Sequence, residues 1–350
     1  MLLGKKNIFG LDIGSKHIKA VQLKDVKETY YLEKVGITTL EPELIVDGSI
    51  LDSSRVVEAI KLLVNNTSIK TKDVAISISG HSSVIIKRVS LPQMSEDELS
   101  ESISFEAEQY IPFDIEDVFL DFQILGPAEA ENMMDVLIVA AKRDKINEYV
   151  SVVKDAGLNP VIVDVDAFAL ENLYELNYEV NDESNVAIVN LGASMININI
   201  IKGGFSVFTR DSSVGGNLHT EALQKEFTIS YQNAEKLKQE GSIEGLSQDD
   251  ATPVLVAASD DIIAEISRSF DYFRDTTNYE SIDEIILCGG GALTADFASL
   301  LADRSGIEVS IVEPFKNIEI SDSINREDLK LIEPTLSVAA GLALRRTGDK

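Results

Sequence analysis

The sequence predicts an α/β fold made of two similar halves, and three observations lead there. Short apolar runs of strand length alternate with helical patterns along the chain. A strand, glycine turn and strand near the start return together in the middle. The 350 residues are 44% hydrophobic, enough to bury a sizeable core.

Taken in order, strand-like runs cover Ile8–Ile13, His17–Leu23 and Tyr30–Thr39. A helix is expected near Ser53–Asn65, capped by Asp52 or Ser53, with Val56, Val57, Ile60, Leu63 and Val64 at helical spacing. DVAISISG and SSVIIKRVSL read as two more strands. From about Val84 to Gly157 the order is strand, helix, strand, strand, helix. The first of those helices opens on the capping box Ser95–Glu98. The second ends at Gly157, which suits a left-handed cap. GPAEAENM, between Leu125 and Met133, reads as an exposed hairpin loop. The strand PVIVDVD and a helix over Ala167–Leu176 follow, and polar NYEVNDESN links to the second half. There NVAIVNLG, SMININIIKG and FSVFTRDSS are strands. A helical region over about Asn217–Thr277 is broken by the loop GSIEGLSQDDATP. The strand EIILCGG, a glycine turn, a helix over Leu293–Arg304, the strand EVSIV and a helix near Thr335–Arg345 close the pattern.

Composition removes several function classes. The net charge of −28 argues against general nucleic-acid binding and against docking on an anionic membrane. No apolar run approaches the roughly 20 residues of a membrane helix. MLLGKKNIFGLDIG lacks the apolar stretch and small-residue site of a signal peptide. The single cysteine, Cys288, excludes an internal disulfide, which fits a cytosolic location. His17, His81 and His219 are scattered without metal spacing and read as surface or turn residues.

The repeated unit carries the chemistry. Gly10-Leu-Asp-Ile-Gly-Ser-Lys-His-Ile-Lys19 and Val189-Asn-Leu-Gly-Ala-Ser-Met-Ile-Asn197 share an apolar strand, Asp or Asn, an apolar residue, Gly and a small residue. Ile18 and Ile196 then stand in register on the second strand. Gly14 and Gly192 let the backbone bend tightly and approach a ligand. Successive N–H groups at such a bend form an anion cradle. Ser15, Ala193 and Ser194 keep the approach free of bulk, the serines add hydroxyl donors, and Lys19 is spaced to reach the same anion. Asp12 and Asn190, at strand ends, would face a metal ion directly or through water. One such turn is an ordinary hairpin; two, one opening each half, read as a phosphate clamp.

LDIGSKHIK resembles the first phosphate loop of the superfamily that contains actin, the heat-shock chaperones and the sugar kinases, and VNLGAS resembles its second. LCGGGA, Leu287–Ala292, looks like the adenosine motif. AEKLK, Ala234–Lys238, resembles the segment that contacts the nucleoside in bacterial actins; otherwise Glu235 and Lys238 are a surface pair on a helix. Within the superfamily the match narrows to the PilM family of type IV pilus assembly proteins. EAEQYIPFDIEDVFLDFQIL, Glu106–Leu125, is its most specific part. LPQMSEDEL, VGGNLHTEAL and LSVAAGLALRR match too, so the resemblance covers nearly the whole chain.

That resemblance implies an actin-like fold of the FtsA type. Residues 1–83, 158–180 and 333–350 would form subdomain 1A, 84–157 subdomain 1C, 181–215 and 278–332 subdomain 2A, and 216–277 subdomain 2B. ATP with Mg²⁺ would lie between the halves, held by Asp12, Gly14, Ser15, Lys16, Lys19, Asn190, Gly192, Ala193, Ser194, Gly215, Gly216, Glu235, Lys238, Gly289, Gly290, Gly291 and Ala292. The metal would face Asp12 and, through water, Asn190. The second loop usually carries Asp where this chain has Asn190, which weakens metal binding and water activation. Hydrolysis is therefore expected to be slow or absent. Besides Asp12, Asp164 or Asp166 stands where a water-positioning carboxylate is often found, or else caps the helix that follows.

The resemblance further implies a groove between 1A and 1C for the cytoplasmic N-terminal peptide of a PilN-type membrane protein. Such a groove would tie the chain to the inner membrane through partners and bring it near the pilus motor ATPases. Phe105, Tyr110, Ile111, Pro112 and Phe113 are candidates for that contact, or, for Phe105 and Ile111, core of 1C. Two other readings stay open. An FtsA-like division protein would carry an amphipathic membrane helix after a linker, where here RRTGDK follows the closing helix. A small-molecule kinase would need a general base and a sugar-site signature.

Overall fold

The computed structural model describes residues 8–348 except 28, 81, 129, 278 and 280. His81 and the residues before Ile8, over which no signal peptide is read, lie outside those described.

Three strands open the chain: β1 (Phe9–Ile13), β2 (His17–Val26) and β3 (Thr29–Thr39). A two-residue hairpin, β4 (Ile45–Val46) and β5 (Ser49–Ile50), leads to α1 (Ser53–Thr67) and β6 (Asp73–Ile78). Then come β7 (Val84–Pro92), α2 (Glu96–Ala107), β8 (Val118–Pro127), β9 (Met133–Lys142), α3 (Arg143–Asp155), β10 (Asn159–Val165) and α4 (Asp166–Asn177). The second half has β11 (Asn185–Leu191), β12 (Ile196–Lys202), β13 (Phe205–Ser212), α5 (Asn217–Phe227), α6 (Tyr231–Glu240) and α7 (Gln248–Thr276). It continues through β14 (Glu284–Cys288), α8 (Phe297–Ser305), β15 (Glu308–Ile311), β16 (Ile318–Ile320), α9 (Arg326–Lys330) and α10 (Ser337–Leu344).

The two large sheets share one plan. The first runs β10-β6-β1-β2-β3-β16 and the second β13-β12-β11-β14-β15. In each, the central strand pairs antiparallel with the strand after it and parallel with a later one: β1 with β2 and β6, β11 with β12 and β14. All seven residues of β11, NVAIVNL, are buried, because helices cover both faces of its sheet. A third sheet, β7-β9-β8, carries α2 on one face over a core of Val89, Leu99, Ile103, Val118 and Val136.

Helices α4 and α10 join the halves. Leu170, Tyr174, Val338 and Leu342 share one apolar cluster with Ala75 of the first sheet and Val186, Ile188 and Ile286 of the second. The approach is close enough to require glycine. A Cβ on Gly10 would stand 2.0 Å from the Ala339 carbonyl oxygen, and one on Gly341 would stand 1.8 Å from that of Ala169.

Helix α3 bridges two sheets: its Tyr149, Val152 and Val153 pack with Val56, Ile60 and Val74 under the first large sheet, in a cluster that also takes in Val84 of β7 and Ala141 of β9. Two expectations change. Strand β16, unread in the sequence, pairs parallel with β3, and Phe315, Ile318 and Leu329 pack on Val21, Leu23 and Leu32. The segment from Val312 to Ile332 thus returns to the first half. Finally, the loop read over residues 241–253 gives way to helix at Gln248, because Ser247 and Asp250 form a capping box that outweighs Pro253 inside the helix.

Candidate functional site

The two glycine bends have the same internal bond and the same register. The Gly14 N–H donates to the His17 carbonyl at 3.1 Å, and the Gly192 N–H to the Met195 carbonyl at 2.8 Å. Asp12 lies opposite Lys19 and Ile13 opposite Ile18; Asn190 lies opposite Asn197 and Leu191 opposite Ile196. Ser15, Lys16, Ala193 and Ser194 fall outside the strand ladders, at the tips of the bends. The tips touch: Ser194 Oγ donates to Ser15 Oγ at 2.8 Å. They lie in a cleft of about 850 Å³ between the halves, well within the size range of small-molecule sites.

The start of α5 braces the second bend. The Gly216 N–H donates to the Gly192 carbonyl at 2.9 Å and the Asn217 N–H to the Ala193 carbonyl at 2.7 Å. Gly215 is a packing residue instead, since a Cβ there would stand 2.6 Å from the Ala193 carbonyl oxygen. Gly216 lines the cleft. Asp211 ties the halves together, accepting the Gly80 N–H at 2.6 Å and Asn197 Nδ2 at 2.8 Å.

Within a strongly acidic chain the cleft is basic. Lys16, Lys19, Lys238 and Lys330 line it, against the carboxylates of Asp12 and Asp166. Lys19 Nζ bonds Asp12 Oδ2 at 2.8 Å. Glu235 is buried, not part of a surface pair. It accepts from Lys16 across the cleft and from Lys238 at 2.7 Å. Burial opposes its charge, but Lys238, Lys16 and Thr220 outweigh that and hold its carboxyl at about 2. Burial, then Lys19 and Lys16, holds His17 down at about 4, so it is neutral at pH 7. Burial, then the nearby Asp12, raises Asp166 to about 6.

The strand end after β14 forms another wall. Gly289 has φ +84°, and a Cβ there would stand 2.5 Å from Asn190 Oδ1 and from the Leu191 carbonyl oxygen. Gly291 is packed against the Leu191 side chain, and Ala292 is buried in the second half's core. Gly290 alone of the three glycines is open; the nearest atom to an added Cβ there would be Thr335 Cγ2, at 3.8 Å. Lys330, Leu331, Ile332, Pro334 and Thr335 line the cleft too. Sequence reasoning gave them no role. The apolar pair Leu331–Ile332 in a charged stretch was the available signal. Asn190 is buried, its Nδ2 donating to Asn197 Oδ1 at 3.0 Å. His219, expected at the surface, is core: it is fully buried, with Nε2 2.9 Å from Ser259 Oγ.

Asp164 is not in the cleft. It lines a second cavity, a groove of about 510 Å³ bounded by β8, β9, β10 and α4 and by Gly204 and Phe205 at the tip of the β12–β13 hairpin. Asp164 Oδ2 lies 3.1 Å from Arg345 Nε, and Oδ1 accepts the Val165 N–H at 2.8 Å. Residues two apart on a strand would share a face, but β10 ends at Val165 and Asp166 opens α4, so Asp164 faces the groove and Asp166 the cleft. Phe119, Phe122, Phe168 and Phe205 supply apolar walls to the groove; Asp121, Glu171 and Glu175 add charge.

None of Phe105, Tyr110, Ile111, Pro112 and Phe113 lines this groove. Ile111 is buried in the core of the small sheet and Phe113 packs against it, with Lys142 Nζ 4.5 Å from its ring centre. Their apolar character served the small subdomain's interior. Phe105 is 70% exposed and Tyr110 37%.

Among known proteins, the family model described as type IV pilus assembly protein PilM matches residues 10–347. A solved PilM–PilN type IV pilus biogenesis complex contains a chain that is 28% identical, with a TM-score of 0.83 over 98% of this chain and 99% of that one. The ethanolamine utilization protein EutJ from Carboxydothermus hydrogenoformans is 14% identical, with a TM-score of 0.61 over 98% and 90%. MreB5 of Spiroplasma citri bound to ADP is 13% identical, with a TM-score of 0.53 over 96% and 94%. The fold is actin-like.

Proposed function

The chain belongs to the PilM family of type IV pilus assembly proteins, and on that footing we propose that it is an ATP-binding scaffold of the pilus assembly complex. In this reading the cleft holds the nucleotide and the groove holds the cytoplasmic N-terminal segment of a PilN-type membrane protein. The observation that carries it is the meeting of the two bends, serine to serine, at the centre of a lysine-lined cleft.

The residues fit a polyphosphate. Ser15 and Ser194 offer hydroxyls, the bends offer backbone N–H groups, and Lys16 and Lys19 offer charge. Gly216 leaves room beside the second bend. Gly290, with Leu331 and Thr335 on the other wall, leaves a flat slot for a base. Glu235 orients Lys16 and Lys238 rather than touching the ligand.

Among the described residues no three His, Cys, Asp or Glu side chains converge as a metal cage. Mg²⁺ in a nucleotide site uses one or two carboxylates, waters and phosphate oxygens, and Asp12, with Asn190 through water, would hold it in that pattern. Bound Mg²⁺ would neutralise phosphate charge. Asn190 adds no charge beside it. Asp166, near 6, is the carboxylate placed to take a proton from a water at the cleft floor. Turnover is slow or absent because the second strand end lacks its carboxylate.

The groove suits an extended peptide: aromatic walls on three sides and a few polar anchors at its floor. Phe205 comes from the second half, so the angle between halves sets the width of the groove. No helix among the described residues is long and apolar enough to cross a membrane. The protein works at the cytoplasmic face of the inner membrane, held there by its partner and within reach of the assembly and retraction motors, and it does not bind nucleic acid.

The test is a pair of titrations on the purified chain. Labelled ATP should bind, and the N-terminal peptide of the neighbouring PilN-type protein should bind with an affinity that ATP changes. A chain that takes up neither ATP nor ADP loses the nucleotide reading. Equal peptide affinity with and without ATP removes the switch and leaves the scaffold.

A further inference from the structure

The groove is acidic and incompletely satisfied. Asp164, 8% exposed, and Glu171 lie at its floor, Asp121 and Glu175 toward its rim, and Arg345 is the one Lys or Arg among its lining residues. Burial pushes the Asp164 carboxyl up and holds Glu171 at about 8, with Glu175 and Asp164 adding to the latter. Three buried polar atoms along the groove also lack a hydrogen-bond partner among the described residues. One is Asn172 Nδ2. The others are Asp164 Oδ2 and Arg345 Nε, which lie close to each other but out of alignment. Buried polar atoms are nearly always paired, and leaving one unpaired costs about 1–3 kcal/mol.

The shape of the groove points to what pairs them. Five consecutive residues of β8, Phe119–Gln123, line it, so the strand presents its edge there and not one face. β8 is the outer strand of its sheet, open to an extended chain alongside. Such a chain brings carbonyl oxygens, which answer Asn172. It does not by itself bring positive charge, and the groove sets only Arg345 against Asp121, Asp164, Glu171 and Glu175.

We infer that the groove selects an extended segment bearing an arginine or lysine side chain, whose cation sits against Asp164 and Glu171 while Asn172 Nδ2 donates to a backbone carbonyl of the segment. This rests on the groove being the seat of the PilN-type peptide. The charged groups facing Glu171 are Asp164 from β10, Glu175 from α4, Asp121 from β8 and Arg345 from the segment after α10; Asn199 from β12 bonds it at 3.5 Å. A cation arriving there favours the ionised carboxylate, so binding releases a proton and tightens as pH rises toward 8.

The experiment is calorimetric titration of the full chain with three peptides: the native N-terminal PilN-type sequence, the same sequence with every Lys and Arg changed to Gln, and the native sequence N-acetylated. Each is run on wild type and on Glu171→Gln, with thermal melts to confirm folding. The neutralised peptide should bind wild type roughly tenfold or more weakly, the worth of one charge-assisted contact. Glu171→Gln should weaken the native peptide at pH 8, leave the neutralised one unchanged, and flatten the rise from pH 6 to 8. The inference is overturned if neutralisation changes nothing, if Glu171→Gln weakens both peptides alike, or if acetylation alone accounts for the loss. No binding of the native peptide to wild type removes the groove reading and the inference with it.

Discussion

Two neighbouring glycines, Gly289 and Gly290, should respond in opposite ways to one added methyl group. At Gly289 the backbone has φ +84°, and the new Cβ would stand 2.5 Å from Asn190 Oδ1 and from the Leu191 carbonyl oxygen. With ψ at 173° this backbone is open essentially to glycine alone and costs another residue about 1–3 kcal/mol. A main-chain oxygen cannot swing aside, and overpacking of that kind adds about 1–3 kcal/mol. Gly289→Ala should therefore lose roughly 2–6 kcal/mol of stability, several degrees in melting temperature. At Gly290 the nearest neighbour of the new Cβ is Thr335 Cγ2 at 3.8 Å, an ordinary contact. Gly290→Ala should keep its stability or gain about 0.5 kcal/mol. Its methyl group stands in the slot assigned to the base, so ATP affinity should fall roughly tenfold or more, equivalent to about 1.4 kcal/mol. Melting curves and titration with a fluorescent ATP read both effects. Wild-type nucleotide affinity in Gly290→Ala would falsify the base slot, and wild-type melting of Gly289→Ala would refute the close approach of β14 to β11.

Three further changes test the charges. Lys19→Met should weaken ATP roughly ten- to a hundredfold, the loss of a charge-assisted bond, while adenosine binding stays the same; an equal loss for both ligands would mean Lys19 acts on the fold alone. Asn190→Asp should make ATP binding depend more steeply on Mg²⁺, read by titration with and without the metal, and an unchanged dependence would remove that strand end from the metal site. For Glu171 the folded carboxyl sits near 8, above its ordinary 4.5. The native state then binds more protons than the unfolded chain between those values, so its stability falls as pH rises through that window, at up to about 1.4 kcal/mol per pH unit. Glu171→Gln should lose that slope in urea melts from pH 5 to 8. Parallel curves for the two proteins would contradict the burial of the charge.

The repeat was legible in the sequence because its features are local. A glycine bend, its flanking apolar strands and the residues opposite each other are all settled within one short stretch of chain, and the registers at Ile18 and Ile196 are those observed. The capping box at Ser95 and the cap at Asp52 were legible for the same reason. What the chain does at long range was not. Ile111 read equally as docking edge or as small-subdomain core and Phe113 as docking edge, and only the arrangement of β7, β9 and β8 around them shows both packed in that core. Asp164 and Asp166 were indistinguishable as letters. The strand stops at Val165 and α4 starts at Asp166, which breaks the alternation and sends them into different cavities, and which cavity lies where depends on how three sheets assemble. Strand β16 is three residues long and pairs Ile318 with Tyr30, near the opposite end of the chain, so no local pattern marks it.

The closeness of the two cavities makes their independence hard to maintain. Ile78 lines both, and the turn from β10 into α4 gives Asp164 to one and Asp166 to the other. Helix α3 does likewise: Ile146 faces the groove, while Tyr149, one turn on, lines the cleft and donates from its hydroxyl to the Gly48 carbonyl at 2.9 Å. Phe205 reaches the groove from the second half, whose position relative to the first is held at the cleft by Ser15 with Ser194 and by Lys16 with Glu235. A ligand that parts those contacts to insert phosphates moves the half that carries Phe205. Linkage then requires reciprocity: the factor by which ATP changes peptide affinity must equal the factor by which peptide changes ATP affinity. Measured from either side, unequal factors at equilibrium would mean that the two titrations are not reporting the same pair of states.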